Sequence, residues 1–265
     1  MEADLKTALP DIQSTEDERN IFINRVGVRG VKLPIVVSQQ NGTQHTIADL
    51  TMTVSLDARR KGTHMSRFIS VMENLHEPLS PEVMRRLLSE MVRELQATSG
   101  TIDVRFPYFV RKTAPVTRLE SVMNYECGWT ADIENNAVTV RQHTLVPVTS
   151  LCPCSREISR YGAHNQRSHL SSTVLCSIPL PLEEQIVLSE NAASCPLWSR
   201  LKRADEKYVT EYAYEHPKFV EDIVRDLATA FNADERVLAY RVEAENFESI
   251  HNHSAYAWIE RDKRA

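Results

Sequence analysis

The stretch LPIVVSQQNGTQHTIADLTMTVSL, residues 33–56, decides the fold class. Leu33 to Val37 is a β-type run, and Ile47 to Leu56 alternates strictly, with Leu50, Met52, Val54 and Leu56 on one face. Asn41-Gly42 between them is a strong hairpin turn, because both residues tolerate the positive φ that a tight turn between twisted strands requires. Further along, Ser80-Pro81-Glu82 opens a helix whose stripe is Met84, Leu87, Leu88, Met91 and Leu95, ending near Gly100. Strand-like runs return at 101–110, 118–130 and 136–148. The second half repeats this grammar: a strand at 170–178, a helix at 182–193, and a helix opened by Pro217 with Val220, Ile223, Val224, Leu227 and Phe231 on one face. Strands at 237–242 and 256–259 close it. The expected architecture is α+β: two tandem ββααββ units, 20–134 and 135–265, after a polar arm at 1–19. Antiparallel sheets carry helices on one face, and the two units form one integrated domain.

Composition narrows the function. The chain has 265 residues, 42% hydrophobic and 25% charged, with a formal net charge of −5, which excludes disordered and collagen-like classes. Seven glycines stand apart, at 27, 30, 42, 62, 100, 128 and 162, so neither a P-loop nor a GxGxxG fingerprint can be built. No apolar run approaches the ~18 residues of a membrane span. The first residues carry Glu2, Asp4 and Asp11 without an apolar run, so the expected place is the cytoplasm, with neither a membrane nor a nucleic acid as partner. Five cysteines, an odd number, argue against a disulfide framework.

The chemistry concentrates in SLCPCS (150–155) and YGAHNQRS (161–168). Cys152 and Cys154 are too close to bridge each other without strain, so two thiols with a downstream His164 read as a metal site or an activated nucleophile. Half-buried structural cysteines near a turn are the competing reading. Lys61, His64 and Arg67, where a strand hands over to a helix, make a competent anion site or an exposed basic loop. Glu206 and Glu221, each on a helix, are an acidic ligand and a hydrogen-bond acceptor, or solvated surface. His251 and His253 share one face if that segment is a strand, and fit a surface turn equally well.

Taken in order, KGTHMSRF (61–68), VTSLCPCS (148–155), YGAHNQRSH (161–169), DEKYVTE (205–211), PKFVEDIVRDLA (217–228) and ENFESIHNHSAYA (245–257) resemble the GTP cyclohydrolase type IB family. The likeness spans the chain beyond the arm. It implies the tunnelling fold, a homotetramer whose sheets form barrels, and active sites between subunits. It implies hydrolysis of GTP to formate and 7,8-dihydroneopterin triphosphate, the first step towards tetrahydrofolate. By the same resemblance Cys152, His164 and Glu206 hold a divalent metal, Zn²⁺ first, with Mn²⁺ or Fe²⁺ as alternatives, leaving a position open for the water that attacks guanine C8. Cys154 lies within reach of that ion as ligand or neighbour. Glu221 anchors the purine, and His251 matches a proton donor. Lys61, His64, Arg67 and Arg167, together with Lys112, Lys202, Arg203 and Lys207, are the pool for the triphosphate. Two alternatives stay open: a nitrile reductase of the same fold, with a nucleophilic Cys and NADPH, and a non-catalytic relative with a structural zinc.

Overall fold

The structure, a computed structural model, describes residues 11–73 and 75–265. Strands β1 (Ile23–Gln39) and β2 (Gly42–Leu56) precede helices α1 (Met65–Glu73) and α2 (Pro81–Glu94). There follow β3 (Gly100–Thr113), β4 (Glu120–Glu134), β5 (Ala137–Leu151), α3 (Pro153–Ile158) and β6 (Asn165–Cys176). Helices α4 (Leu182–Ala192), α5 (Arg203–Glu215) and α6 (Val220–Ala233) lead into β7 (Val237–Asn246) and β8 (Ala255–Asp262). The strands form one eight-stranded antiparallel sheet in chain order, β1 to β8. The expected hairpin is there, with Gly42 at φ +119 and Gln39 paired to Gly42. So is the cap of α2, where the Ser80 hydroxyl accepts the Val83 N–H and Pro81 takes the first helical position.

Alternation places the core. Ile102, Val104 and Phe106 of β3 and Val146 and Val148 of β5 are buried with Met84, Leu87, Leu88 and Met91 of α2. A second cluster joins Leu170 and Val174 of β6 and Val242 of β7 to Ile223, Leu227 and Phe231 of α6. Between 134 and 135 the chain makes the β4–β5 turn, with Asn135 and Asn136 both at positive φ. The first core also takes in Val140, Val146 and Val148 of β5. The other face of the sheet is polar: Lys32 pairs with Asp49 at 2.8 Å, Arg105 with Asp103 at 2.9 Å and Arg241 with Glu243 at 2.6 Å.

Three readings need correction. Two helices were expected in the second half, and α3 and α5 add to α4 and α6. Helix α5 buries only Asp205 and Ala213, so it has no apolar stripe to be counted by. Strand β6 begins at Asn165, ahead of the strand expected at 170–178. The first strand begins at Ile23, well before Leu33. Residues 1–10 of the arm lie outside the described residues. The remainder is laid along the segment before α1: Lys61 N–H donates to Thr15 O at 3.1 Å, Gly62 N–H to Gln13 O at 3.1 Å, and Asp17 N–H to Arg59 O at 2.9 Å.

Candidate active site

Strand β5 ends at Leu151, and the next residue caps a short helix. Cys152 is extended, Pro153 takes the first helical position, and the Cys152 sulfur accepts the Ser155 N–H at 3.4 Å. The chain then doubles back through Gly162, whose φ of +124 is glycine territory. That return brings His164 against the cap. The Cys152 N–H donates to His164 O at 3.1 Å, and the His164 N–H donates to Ser155 Oγ at 3.2 Å. Two other elements hold the same corner: Ser194 Oγ accepts the Leu151 N–H at 3.1 Å, and the Lys218 N–H donates to Leu151 O at 3.0 Å.

The His164 ring has acceptors on one side. Its Nδ1 lies 3.0 Å from Gln166 Oε1, 3.5 Å from Ser249 Oγ and 3.8 Å from Glu248 Oε2. The His164 and Glu248 side chains are each 13% exposed. Glu248 arrives on the loop 247–254, which the Phe247 N–H fastens to Arg167 O at 3.0 Å and the Phe247 ring fastens edge-on to His169, centroids 4.8 Å apart. Neither Gln166 nor Glu248 stands out in the sequence as a site residue. The available signal was spacing for Gln166, two residues from His164. For Glu248 there was only its place in a conspicuous polar run.

The other expected residues scatter over the surface. Cys154 is exposed on α3, Glu206 on the first turn of α5, and Glu221 on the first turn of α6. Arg167 is exposed on β6. His251 and His253 stack at 5.1 Å, but on a loop rather than a strand, because β7 and β8 pair only as far as Asn246 and Ala255. Lys61 is exposed, His64 Nε2 lies 3.3 Å from Asp11 Oδ2, and Arg67 donates to Glu94 O at 3.0 Å. Lys112 leaves the phosphate pool altogether. Its ammonium is buried between Glu190 Oε1 and Leu197 O, both at 2.6 Å, beneath the Trp198 ring.

Asp205, beside Glu206, sets where α5 begins. Its carboxylate accepts the N–H groups of Val116, Thr117 and Lys202, each at 2.9 Å, and the Thr117 hydroxyl at 2.6 Å. Burial pushes this carboxyl up, but those bonds outweigh it and hold Asp205 well below the usual carboxylate range. Glu206 therefore stands on a helix turn tied to the β3–β4 connection.

The donor chemistry fits a metal around Cys152 and His164: a sulfur held by a helix-start N–H, and an imidazole whose Nδ1 is engaged by an acceptor so that Nε2 is left to bind. Among the described residues, no three His, Cys, Asp or Glu groups stand together in one chain as a metal-holding set. Cys152 and His164 are brought together, and Glu206 is not gathered with them.

Comparison with known proteins places the chain. The family model for type I GTP cyclohydrolase FolE2 matches residues 9–257. A protein of Herminiimonas arsenicoxydans named GTP cyclohydrolase FolE2 is 56% identical over 258 residues, covering 97% of this chain and 99% of that one. A protein of the same name from Ralstonia nicotianae is 54% identical over 256 residues, covering 97% and 96%. Among solved structures, uricase from Arthrobacter globiformis superposes with a TM-score of 0.55 at 10% identity, over 90% of this chain and 93% of that one. Urate oxidase from Bacillus subtilis gives 0.52 at 8% identity, over 91% and 99%. At such identities the likeness is one of fold alone, a sheet with helices on one face of the tunnelling-fold kind. The sequence likeness goes further, and the chain belongs to the type I GTP cyclohydrolase FolE2 family.

Proposed function

We propose that the chain is a GTP cyclohydrolase of type IB, converting GTP and water to formate and 7,8-dihydroneopterin triphosphate at the entry to tetrahydrofolate synthesis. The observation that carries this reading is Cys152 and His164 locked side by side at the end of β5, in a chain 56% identical to a protein named GTP cyclohydrolase. Cys152 and His164 would hold a divalent ion with Glu206 as the third ligand. Zn²⁺ suits a thiolate–imidazole–carboxylate set, with Mn²⁺ or Fe²⁺ as alternatives. Such an ion would supply Lewis acidity, lowering the pKa of a water to about 7.

The remaining roles belong to the chain's own groups. The Glu221 carboxylate accepts the N1–H and N2–H₂ donors of guanine, an edge that adenine lacks. His251 gives a proton to the purine nitrogen or to the ribose ring oxygen as the imidazole ring opens. Cys154, two residues on from Cys152, serves as a further ligand or as a neighbour of the ion. Arg167, Lys61, His64 and Arg67 take the triphosphate, and with −5 overall these local cations must outweigh an unfavourable long-range field.

The exposure of Glu206, Glu221, Arg167 and His251 supports a site completed between subunits. We place it in a homotetramer whose open sheet edges, β1 and β8, close into barrels, each chain supplying the two ββααββ units 20–134 and 135–265. The five unpaired cysteines support a reducing cytoplasm. No helix among the described residues is long and apolar enough to cross a membrane.

The test is incubation of metal-analysed protein with GTP, with and without EDTA, following formate and, after oxidation, pterin fluorescence. Metal-dependent formation of both is expected. A tightly held ion without either product would overturn the reading in favour of a structural zinc. Formate without pterin would place the ribose rearrangement elsewhere.

A further inference from the structure

Strands β5 and β6 bury hydroxyls and an amide at the end of the sheet's inward face. Ser150 and Ser168 are fully buried and Gln166 is 9% exposed, directly after Val146 and Val148 and before Leu170. Register explains how they meet: Ser150 pairs with Gln166 and Val148 with Ser168. Burying three polar side chains is costly unless each is hydrogen-bonded. Each is. Ser150 and Ser168 hydroxyls lie 2.8 Å apart, Gln166 Nε2 donates to Ser150 Oγ at 2.7 Å, and Gln166 Oε1 lies 3.0 Å from His164 Nδ1. The chain of bonds starts inside the sheet and ends on the site's imidazole.

Its polarity is set at the imidazole end. The carboxylate of Glu248 stands 3.8 Å from the same Nδ1. An acceptor-only charge there favours the proton on Nδ1, so the amide oxygen rather than the amide nitrogen faces the ring. Gln166 Nε2 is then left to donate to Ser150, and the serine hydroxyls rotate to accommodate it. Glu248 is too far from the ring to fix its angle, and Ser249 Oγ at 3.5 Å is at the limit of a hydrogen bond. Among the described residues, Gln166 alone holds Nδ1 at ordinary hydrogen-bond length.

We propose that Gln166, held by Ser150 and Ser168, is the positioning residue that fixes the orientation of His164, presenting its Nε2 lone pair outward as a pre-set metal ligand. The inference rests on the metal-site reading above. It assigns a role to a residue that touches neither substrate nor ion. Partners of this kind, which hold the far nitrogen of a ligating histidine, are worth roughly 10- to 100-fold in metal affinity.

The test is Zn²⁺ affinity of the full-length chain, by competition with a chromophoric chelator, for wild type, Gln166→Met and Gln166→Glu. Methionine keeps the length and apolar bulk but offers Nδ1–H no carboxyl or amide oxygen, and glutamate keeps the acceptor. The expected result is a loss of about 10- to 100-fold for Gln166→Met, with Gln166→Glu near wild type. A role in packing alone predicts the opposite order, because methionine fills the space and a buried carboxylate does not belong there. Equal affinity of Gln166→Met and wild type, or Gln166→Glu as weak as Gln166→Met, would overturn the proposal. Should Gln166→Met fail to fold, Ser150→Ala frees the amide to rotate while leaving Gln166 in place. A several-fold weakening is then expected, and unchanged affinity would overturn it. A wild-type chain that takes up no stoichiometric ion would sink the metal-site reading itself, which separates the two failures.

Discussion

The Cys152 N–H donates to the carbonyl of His164 at 3.1 Å, so the backbone, not the side chains, brings these residues together. Their mutual position should survive loss of the thiol. Cys152→Ala removes only the sulfur that accepts the Ser155 N–H, a capping contribution of about 1 kcal/mol. The variant is therefore expected to melt close to wild type while GTP turnover and stoichiometric Zn²⁺ uptake are abolished. Turnover at wild-type rate would remove Cys152 from the metal.

How much of this was legible in the sequence follows from where the information sits. The hairpin at 33–56 shows itself because side chains alternate between core and solvent. The beginning of β1 does not, since exposed Asn24, Arg25, Arg29 and Gly30 interrupt it and Val26, Val28 and Val31 reach the core only half-buried. Cys152 and His164 are legible because thiol and imidazole near one another are chemically rare. Gln166 and Glu248 are not, because what makes them matter is strand register and loop return, which place a common amide and a common carboxylate beside one ring. Lys112 misleads for the same reason. Its neighbours Arg111 and Thr113 are exposed, and its partner Glu190 lies 78 residues away.

Lys112 and Glu190 carry a stability prediction. Both side chains are about nine-tenths buried, and Tyr125 also donates to Glu190 Oε1, at 2.7 Å. Burial pulls the Lys112 ammonium below its usual range, although the Glu190 charge pushes back. Removing one partner strands the other, so Lys112→Met alone should cost roughly 3–5 kcal/mol. The double variant Lys112→Met, Glu190→Leu should recover most of that, because a buried pair gains little over an apolar replacement. Denaturant unfolding of both single variants and the double decides it. Additive losses would show that the two charges do not depend on each other.

His143 gives the protein a pH dependence separate from catalysis. Its ring lies on the polar face of the sheet, Nε2 2.8 Å from Thr130 Oγ and Nδ1 2.7 Å from Thr173 Oγ. The Thr130 hydroxyl is committed to Asp103, so Nε2–H donates to Thr130 and Nδ1 accepts from Thr173, the pattern of a neutral imidazole. Burial, helped by the Arg105 and Arg141 charges and opposed by Asp103, lowers the His143 pKa from 6.5 to about 3. Between those values the unfolded chain binds a proton that the folded chain refuses. Stability contributed by this site is therefore complete above the unfolded value and falls as the pH drops, by at most about 1.4 kcal/mol per pH unit. His143→Gln keeps a donor and an acceptor but cannot titrate. Its unfolding free energy should fall less than that of wild type between about pH 7 and about pH 5, even if it starts lower. Parallel losses in the two proteins, measured by urea unfolding across that window, would show that the acid sensitivity arises elsewhere, and the depressed His143 would have no part in it.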